Sequence, residues 1–355
     1  GGSCMTKKET SSRLANYDLV KVLAIFMVVA VHMLNVVDLM PPGDVRAYGI
    51  HEVVRTFLLT SNGLFFMVSG RFLLEHYDGR AWRFYWKRLV KIGIPVFAAS
   101  LFYYIYVYGR NGMGPAFWKA FVLDFWQSHI QGYFWFVFAL AGFYLAVPFL
   151  APMFGSLKRK ELWLLFGVSL AYFFLQNLYQ IFGLEMVFTS YPFYSWIFYC
   201  MLGYLLDHLE LSARGRKGFL AAGAGAFLIS AWEICFWERE NPALHNYSVT
   251  MILMTAALYL GLTSWGKRMP DICAAAVRFL SVRSFYIYLM HGLTQILLAA
   301  RVGDRAAGWG MWFFLSAASF CFALVIGVVL EWLYRPVSGW LCGLFGGQKE
   351  SGVEG

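Results

Sequence analysis

Apolar runs long enough to cross a bilayer follow one another along almost the whole chain, with only short polar breaks between them. They lie near residues 18–39, 50–76, 88–108, 132–154, 161–183, 191–208, 217–237, 247–265, 279–300 and 310–334. About 20 apolar residues in helical conformation span the hydrocarbon core. The sequence therefore predicts an all-α, polytopic integral membrane protein with about ten transmembrane helices. Charge agrees: 14% of residues are charged and 60% hydrophobic, where a soluble domain carries about 25% charged residues. The stretch 114–129 is short and Trp-rich, which suits a helix lying in the interface rather than across it. With no soluble domain of any size, the expected organisation is a tail over 1–17, one membrane domain over 18–340 and a tail over 341–355. Residues 1–4, ahead of Met5, read as a cloning remnant. The first run has a basic lead-in and no small-residue cleavage site after it, so it is expected to stay as an anchor.

Lys and Arg are unevenly shared between the polar breaks. Lys7, Lys8 and Arg13 precede the first run, and Arg80, Arg83, Lys87, Arg88 and Lys91 follow the second. Lys158, Arg159 and Lys160, then Arg214, Arg216 and Lys217, then Lys267, Arg268 and Arg278 continue the pattern. The alternate loops hold only Arg46, Arg110, Lys119, Arg239, Arg301 and Arg305. Positive charge favours the cytoplasmic side, which predicts a multi-pass protein of the inner (plasma) membrane with both termini in the cytoplasm. The net charge of +9 belongs to this asymmetry, and no nucleic-acid partner is implied. The six cysteines (4, 200, 235, 273, 321 and 342) form no close ligand pair, so no metal is expected.

Polar residues inside the runs are the candidates for chemistry, because a titratable group in hydrocarbon is costly and faces protein or water. On the first helix Lys21 and His32 are eleven residues apart, which returns them to within about 20° on one face and about 16 Å apart along the axis. Asp18 lies one turn before Lys21, at pairing distance; Lys21 could equally snorkel to headgroups. On the second helix Ser69 and Gly70 offer close approach to another helix, and Arg71 requires a partner or a polar cavity. On the ninth, Ser284, Tyr288 and His291 share a face, either as interhelical packing or as part of a site. Glu331 and Arg335 have the spacing of a local ion pair.

Four landmarks in order carry a family resemblance: Tyr17-Asp18 through His32; Phe65-Phe66-Met67-Val68-Ser69-Gly70; Tyr133-Phe134-Trp135-Phe136 leading to Tyr144-Leu145-Ala146-Val147-Pro148; and Ser284 through Tyr288 to His291. Together they resemble the membrane acyltransferase-3 family, whose members O-acylate sugars of bacterial surface polysaccharides, peptidoglycan, lipopolysaccharide or antibiotics, usually with acetyl-coenzyme A as donor. The chain departs from the family pattern twice. Lys21 stands where an Arg is usual, keeping the charge without the bidentate fork, and Tyr133 stands where many members have His.

The resemblance implies an O-acyltransferase that moves an acyl group, acetyl by preference, from cytosolic acyl-coenzyme A to a hydroxyl of an extracytoplasmic or lipid-linked saccharide. His32 and His291 are its expected catalytic residues. Lys21, Arg71, Arg83, Arg88 and Lys91 are the cations expected to hold the donor's phosphates, and Asp18, Ser69, Tyr133, Trp135, Ser284 and Tyr288 are expected to line the site. His32 would act either as general base toward the acceptor hydroxyl or as a nucleophile that carries the acyl group. The rival reading is a transporter or exporter of a polysaccharide or small polar solute, using the same polar stripes as a path. No inverted repeat supports it.

Overall fold

The computed structural model describes residues 7–40, 44–109, 112–187, 189–236, 246–303 and 306–344. Twelve α-helices follow one another: α1 (Lys7–Met33), α2 (Val45–Glu75), α3 (Ala81–Arg88), α4 (Ile94–Tyr108), α5 (Pro115–Trp126), α6 (Trp135–Ser156), α7 (Arg159–Ile181), α8 (Trp196–His208), α9 (Ala213–Phe236), α10 (Val249–Gly266), α11 (Asp271–Val302) and α12 (Trp309–Leu344). Among the described residues the extended pairing is an isolated bridge between Asp38 and Ala307.

Among the described residues nine helical stretches are long and apolar enough to cross a membrane, α3 and α4 counting as one through a π-helical turn at Leu89–Gly93. The protein is thus a polytopic all-α membrane protein. The expected span over 191–208 is the exception to the count of ten. Its helix, α8, has only 13 residues, about 20 Å of rise. Phe198 through Leu206 are all buried, so α8 has neighbouring helices on every side and need not match the bilayer thickness. α5 is the short helix expected over 114–129, and it packs Phe117 and Phe121 against Tyr104 of α4.

Two glycines explain how α8 is held. A Cβ on Gly70 of α2 would lie 2.0 Å from the Cys200 carbonyl oxygen, and one on Gly203 of α8 would lie 2.0 Å from the Met67 carbonyl oxygen. The two backbones touch, which is the use expected of a small residue between membrane helices. The main core gathers α1, α2, α6, α7, α8 and α10 around this contact. A second core surrounds Tyr103, Tyr133, Phe134 and Tyr288, where α1, α4, α6 and α11 meet.

Candidate functional site

Two cavities occupy the polar seam between α1, α2, α6 and α11. The first, of about 490 Å³, is lined by Lys21, Ser69, Lys91, Ser281, Ser284, Glu331, Tyr334 and Arg335, with apolar walls from Ile92, Leu140 and Phe285. The second, of about 320 Å³, is lined by His32, Asn35, Arg55, Asn62, Tyr133, Trp135 and Asn246. They lie toward opposite ends of α1 and α2. Phe65, Phe136 and Tyr288 line both, so these three rings are the partition between them. Phe136 packs against Phe65 and Tyr288 at centroid distances of 5.8 and 5.6 Å.

The first cavity is basic. Lys21 comes from α1, Lys91 from the π-helical turn and Arg335 from α12. The π turn puts one extra residue into the span, the kind of irregularity that re-aims a side chain at a site, and the Val90 carbonyl within it accepts a hydrogen bond from Tyr334 Oη at 2.7 Å. The spacing of Glu331 and Arg335 suggested that they pair with each other. Glu331 instead pairs with Arg283 of α11 at 2.9 Å, which leaves the positive charges of Lys21, Lys91 and Arg335 facing the cavity.

Of the five cations expected to hold a donor, Lys21 and Lys91 line this cavity. Arg71 turns the other way. It donates from Nε to Asp207 on α8 and pairs with Glu75, while Tyr17 Oη also donates to Asp207. Arg71 thus ties α2 to α8 and α1. Arg88 lies over the rings of Phe84 and Tyr144, 5.1 and 5.5 Å from their centroids, and neither it nor Arg83 lines either cavity. Asp18 accepts from Ser281 Oγ at 2.5 Å, so it backs the cavity wall through that serine. Ser69 and Ser284 line the basic cavity, Tyr133 and Trp135 the second one, and Tyr288 both.

The second cavity is lined by His32, and His291 packs beside that ring, behind the lining. The rings of His32 and His291 are 5.3 Å apart, and Tyr133 lies 5.6 Å from the first and 4.2 Å from the second. His291 is fully buried, and its Nδ1–H donates to the Tyr288 carbonyl at 2.6 Å. That tautomer leaves Nε2 with a free lone pair, and Nε2 has no hydrogen-bond partner among the described residues. The two histidines expected from sequence are therefore brought together from α1 and α11.

Tyr103 and Gly292 complete the arrangement, and nothing in the local sequence marks them. Tyr103 Oη accepts from the Leu293 amide at 2.9 Å and donates to the Leu289 carbonyl at 3.0 Å. It sits between the two ends of one turn of α11, the turn that carries His291. Tyr133 Oη donates to Tyr103 Oη at 3.0 Å, and Tyr288 Oη donates to the Tyr133 carbonyl. A Cβ on residue 292 would lie 2.4 Å from Tyr133 Oη, so glycine is what lets the tyrosine reach this network.

Among the described residues, then, a cation-lined chamber and a histidine-lined chamber meet at three rings, an arrangement that can bring two reactants together from opposite sides. No curated protein and no solved structure matches the chain. A family model described as an acyltransferase domain matches residues 14–331, which include His32, both cavities' aromatic partition and His291. The chain belongs to the acyltransferase-3 family of membrane acyltransferases.

Proposed function

We propose that the protein transfers an acyl group, acetyl by preference, from acyl-coenzyme A to a hydroxyl group of a saccharide presented on the other side of the membrane. The observation that carries this reading is the pair of cavities that share Phe65, Phe136 and Tyr288 as a common wall, one lined by cations and the other by His32. Lys21, Lys91 and Arg335 offer three positive charges to the donor's phosphates, as long flexible ammonium groups and one planar guanidinium. The pantetheine arm would run along α1 from Lys21 toward His32, about 16 Å of helical rise, and pass the aromatic partition when the rings move aside.

The chemistry proceeds with a neutral His32. Its free ring nitrogen takes the proton of the acceptor hydroxyl as the oxygen attacks the thioester carbonyl carbon. The tetrahedral intermediate then expels the coenzyme A thiolate, which receives that proton from the histidinium. The products are an O-acyl ester and free thiol. Acyl transfer through His32 itself uses the same geometry: its nitrogen attacks the thioester, the thiol leaves, and the acceptor hydroxyl releases the histidine. His291 borders His32 with a lone pair that has no partner among the described residues, and it can relay the proton between His32 and the leaving thiolate in either route.

The test is turnover of acetyl-coenzyme A by purified protein in detergent, wild type beside His32→Ala. The expected result is a drop in rate on the order of 10²- to 10⁴-fold with coenzyme A affinity retained. A well-folded wild type that neither binds coenzyme A nor releases thiol would overturn the reading and favour transport.

A further inference from the structure

We propose that the histidine cavity selects an anionic acceptor, a saccharide carrying a carboxylate or phosphate, and that Arg55 is the residue that reads this charge. The inference rests on the reading of that cavity as the acceptor chamber. Arg55 lies on the face of α2 that also carries Leu59, Asn62 and Phe65, at steps of four, three and three residues, and all four line the cavity. The Arg55 side chain is 48% exposed although its partner Glu52 is 7% exposed. The guanidinium thus faces open space while its counter-ion is buried behind it.

The geometry behind Arg55 is that of a held group. Arg55 Nη1 donates to Glu52 Oε2 at 3.2 Å, and the other carboxylate oxygen accepts from His51 Nδ1 at 2.9 Å. Glu52 and His51 are both buried. The carboxylate therefore has one fixed orientation, and it fixes one edge of the guanidinium. An arginine has five N–H donors in a planar fork, so the remaining edge stays available for a bidentate contact with carboxylate or phosphate.

Charge in the cavity points the same way. Arg55 is the lone formal charge among the described residues lining it, and none of those residues is a carboxylate. Amides from Asn35, Asn62 and Asn246 and the aromatic faces of Trp135 and Phe136 supply the rest of the lining, which suits a hydroxyl-rich ring. The side-chain oxygen of Asn246, in the same wall, has no hydrogen-bond partner among the described residues. A cationic acceptor would find no counter-charge in this lining, whereas an anionic one would find Arg55.

The test uses purified full-length protein and four acceptors of one sugar: methyl glucoside (neutral), methyl glucuronide (carboxylate), glucose 1-phosphate and methyl glucosaminide (cationic). Affinity is read by calorimetry without donor, and KM and kcat by thiol release with acetyl-coenzyme A. The expected result is tighter binding of at least one of the two anionic sugars, the better of them naming the group. Arg55→Gln should raise KM for that sugar on the order of tenfold to a hundredfold, more than it changes kcat and more than it changes KM for the neutral sugar. Arg55→Lys keeps Glu52 paired but removes the fork, and should lose part of the same preference even if the glutamine variant does not fold. Equal use of neutral and anionic sugars by the wild type, or an anionic preference that survives Arg55→Lys in full, would sink the proposal. Arg55-dependent binding of an anionic sugar without acyl transfer would keep this inference and overturn the reading of the site as an acyltransferase centre.

Discussion

The hydroxyl of Tyr103 shows how one side chain can set up another. By accepting from the Leu293 amide and donating to the Leu289 carbonyl it ties α4 to one turn of α11, and a group inserted in the i→i−4 ladder is a recognised cause of local bending. His291 lies inside that turn. Removing the hydroxyl in Tyr103→Phe lets the amide and carbonyl bond directly, so the stability cost should stay below about 1–3 kcal/mol. The tether of this turn to α4 is lost, however, and His291 should shift relative to His32. We expect kcat to fall at least roughly tenfold while the thermal midpoint in detergent changes little. An unchanged kcat would show that the turn does not position His291. Tyr103 could not be picked out from sequence because it sits in a run of aromatic residues, Tyr103-Tyr104-Ile105-Tyr106, in which each member is an equally good lipid-facing or core residue. His32 and His291 stood out for the opposite reason: each interrupts an apolar run, and that cost is visible without neighbours.

At the scale of elements, α8 depends on backbone contact with α2. Gly70 and Gly203 face each other's helices with no room for a methyl group against a carbonyl. Arg71 and Asp207 join the same two helices by an ion pair, to which Tyr17 of α1 adds a hydrogen bond. Gly70→Ala should therefore lower the thermal midpoint in detergent and reduce the yield of folded protein, by an amount typical of overpacking, about 1–3 kcal/mol. A midpoint equal to wild type would mean that the helices separate at no cost. The same contact explains the expected tenth span. Periodicity and length locate lipid-facing helices well, because each must be apolar over about 20 residues. A helix enclosed by protein escapes that length requirement, and its 13 residues are recognisable only once its neighbours are in place. Arg71 illustrates the same limit: its proximity to a basic loop suggested a donor ligand, but packing against α8 supplied it with the Asp207 carboxylate, beside Glu75 of its own helix.

For the whole molecule, the proposed division into a donor and an acceptor cavity predicts a sided reaction. If the basic cavity opens to the cytoplasm, acetyl-coenzyme A added outside inside-out vesicles should support thiol release, and the same addition to right-side-out vesicles should not. Equal activity in both preparations would contradict the sidedness. Binding of the donor should also weaken with ionic strength, since exposed charges are screened over about 8–10 Å at physiological salt. We expect KM for acetyl-coenzyme A to rise several-fold between low and high salt, more steeply in the wild type than in Lys91→Gln. A KM indifferent to salt would argue against phosphate recognition by Lys21, Lys91 and Arg335.

By itself the sequence determined the membrane architecture and the family and singled out the two histidines as candidates, because apolar run length, motif order and the cost of an intramembrane imidazole are properties of short segments. It could not decide which cations share a chamber, how the histidines meet, or that Phe65, Phe136 and Tyr288 divide the path. Those residues come from α1, α2, α6, α11 and α12, and their relations depend on how the helices cross. A crossing is set by side chains interlocking across a contact, as the glycines of α2 and α8 do, so the cavities exist only in the packed bundle.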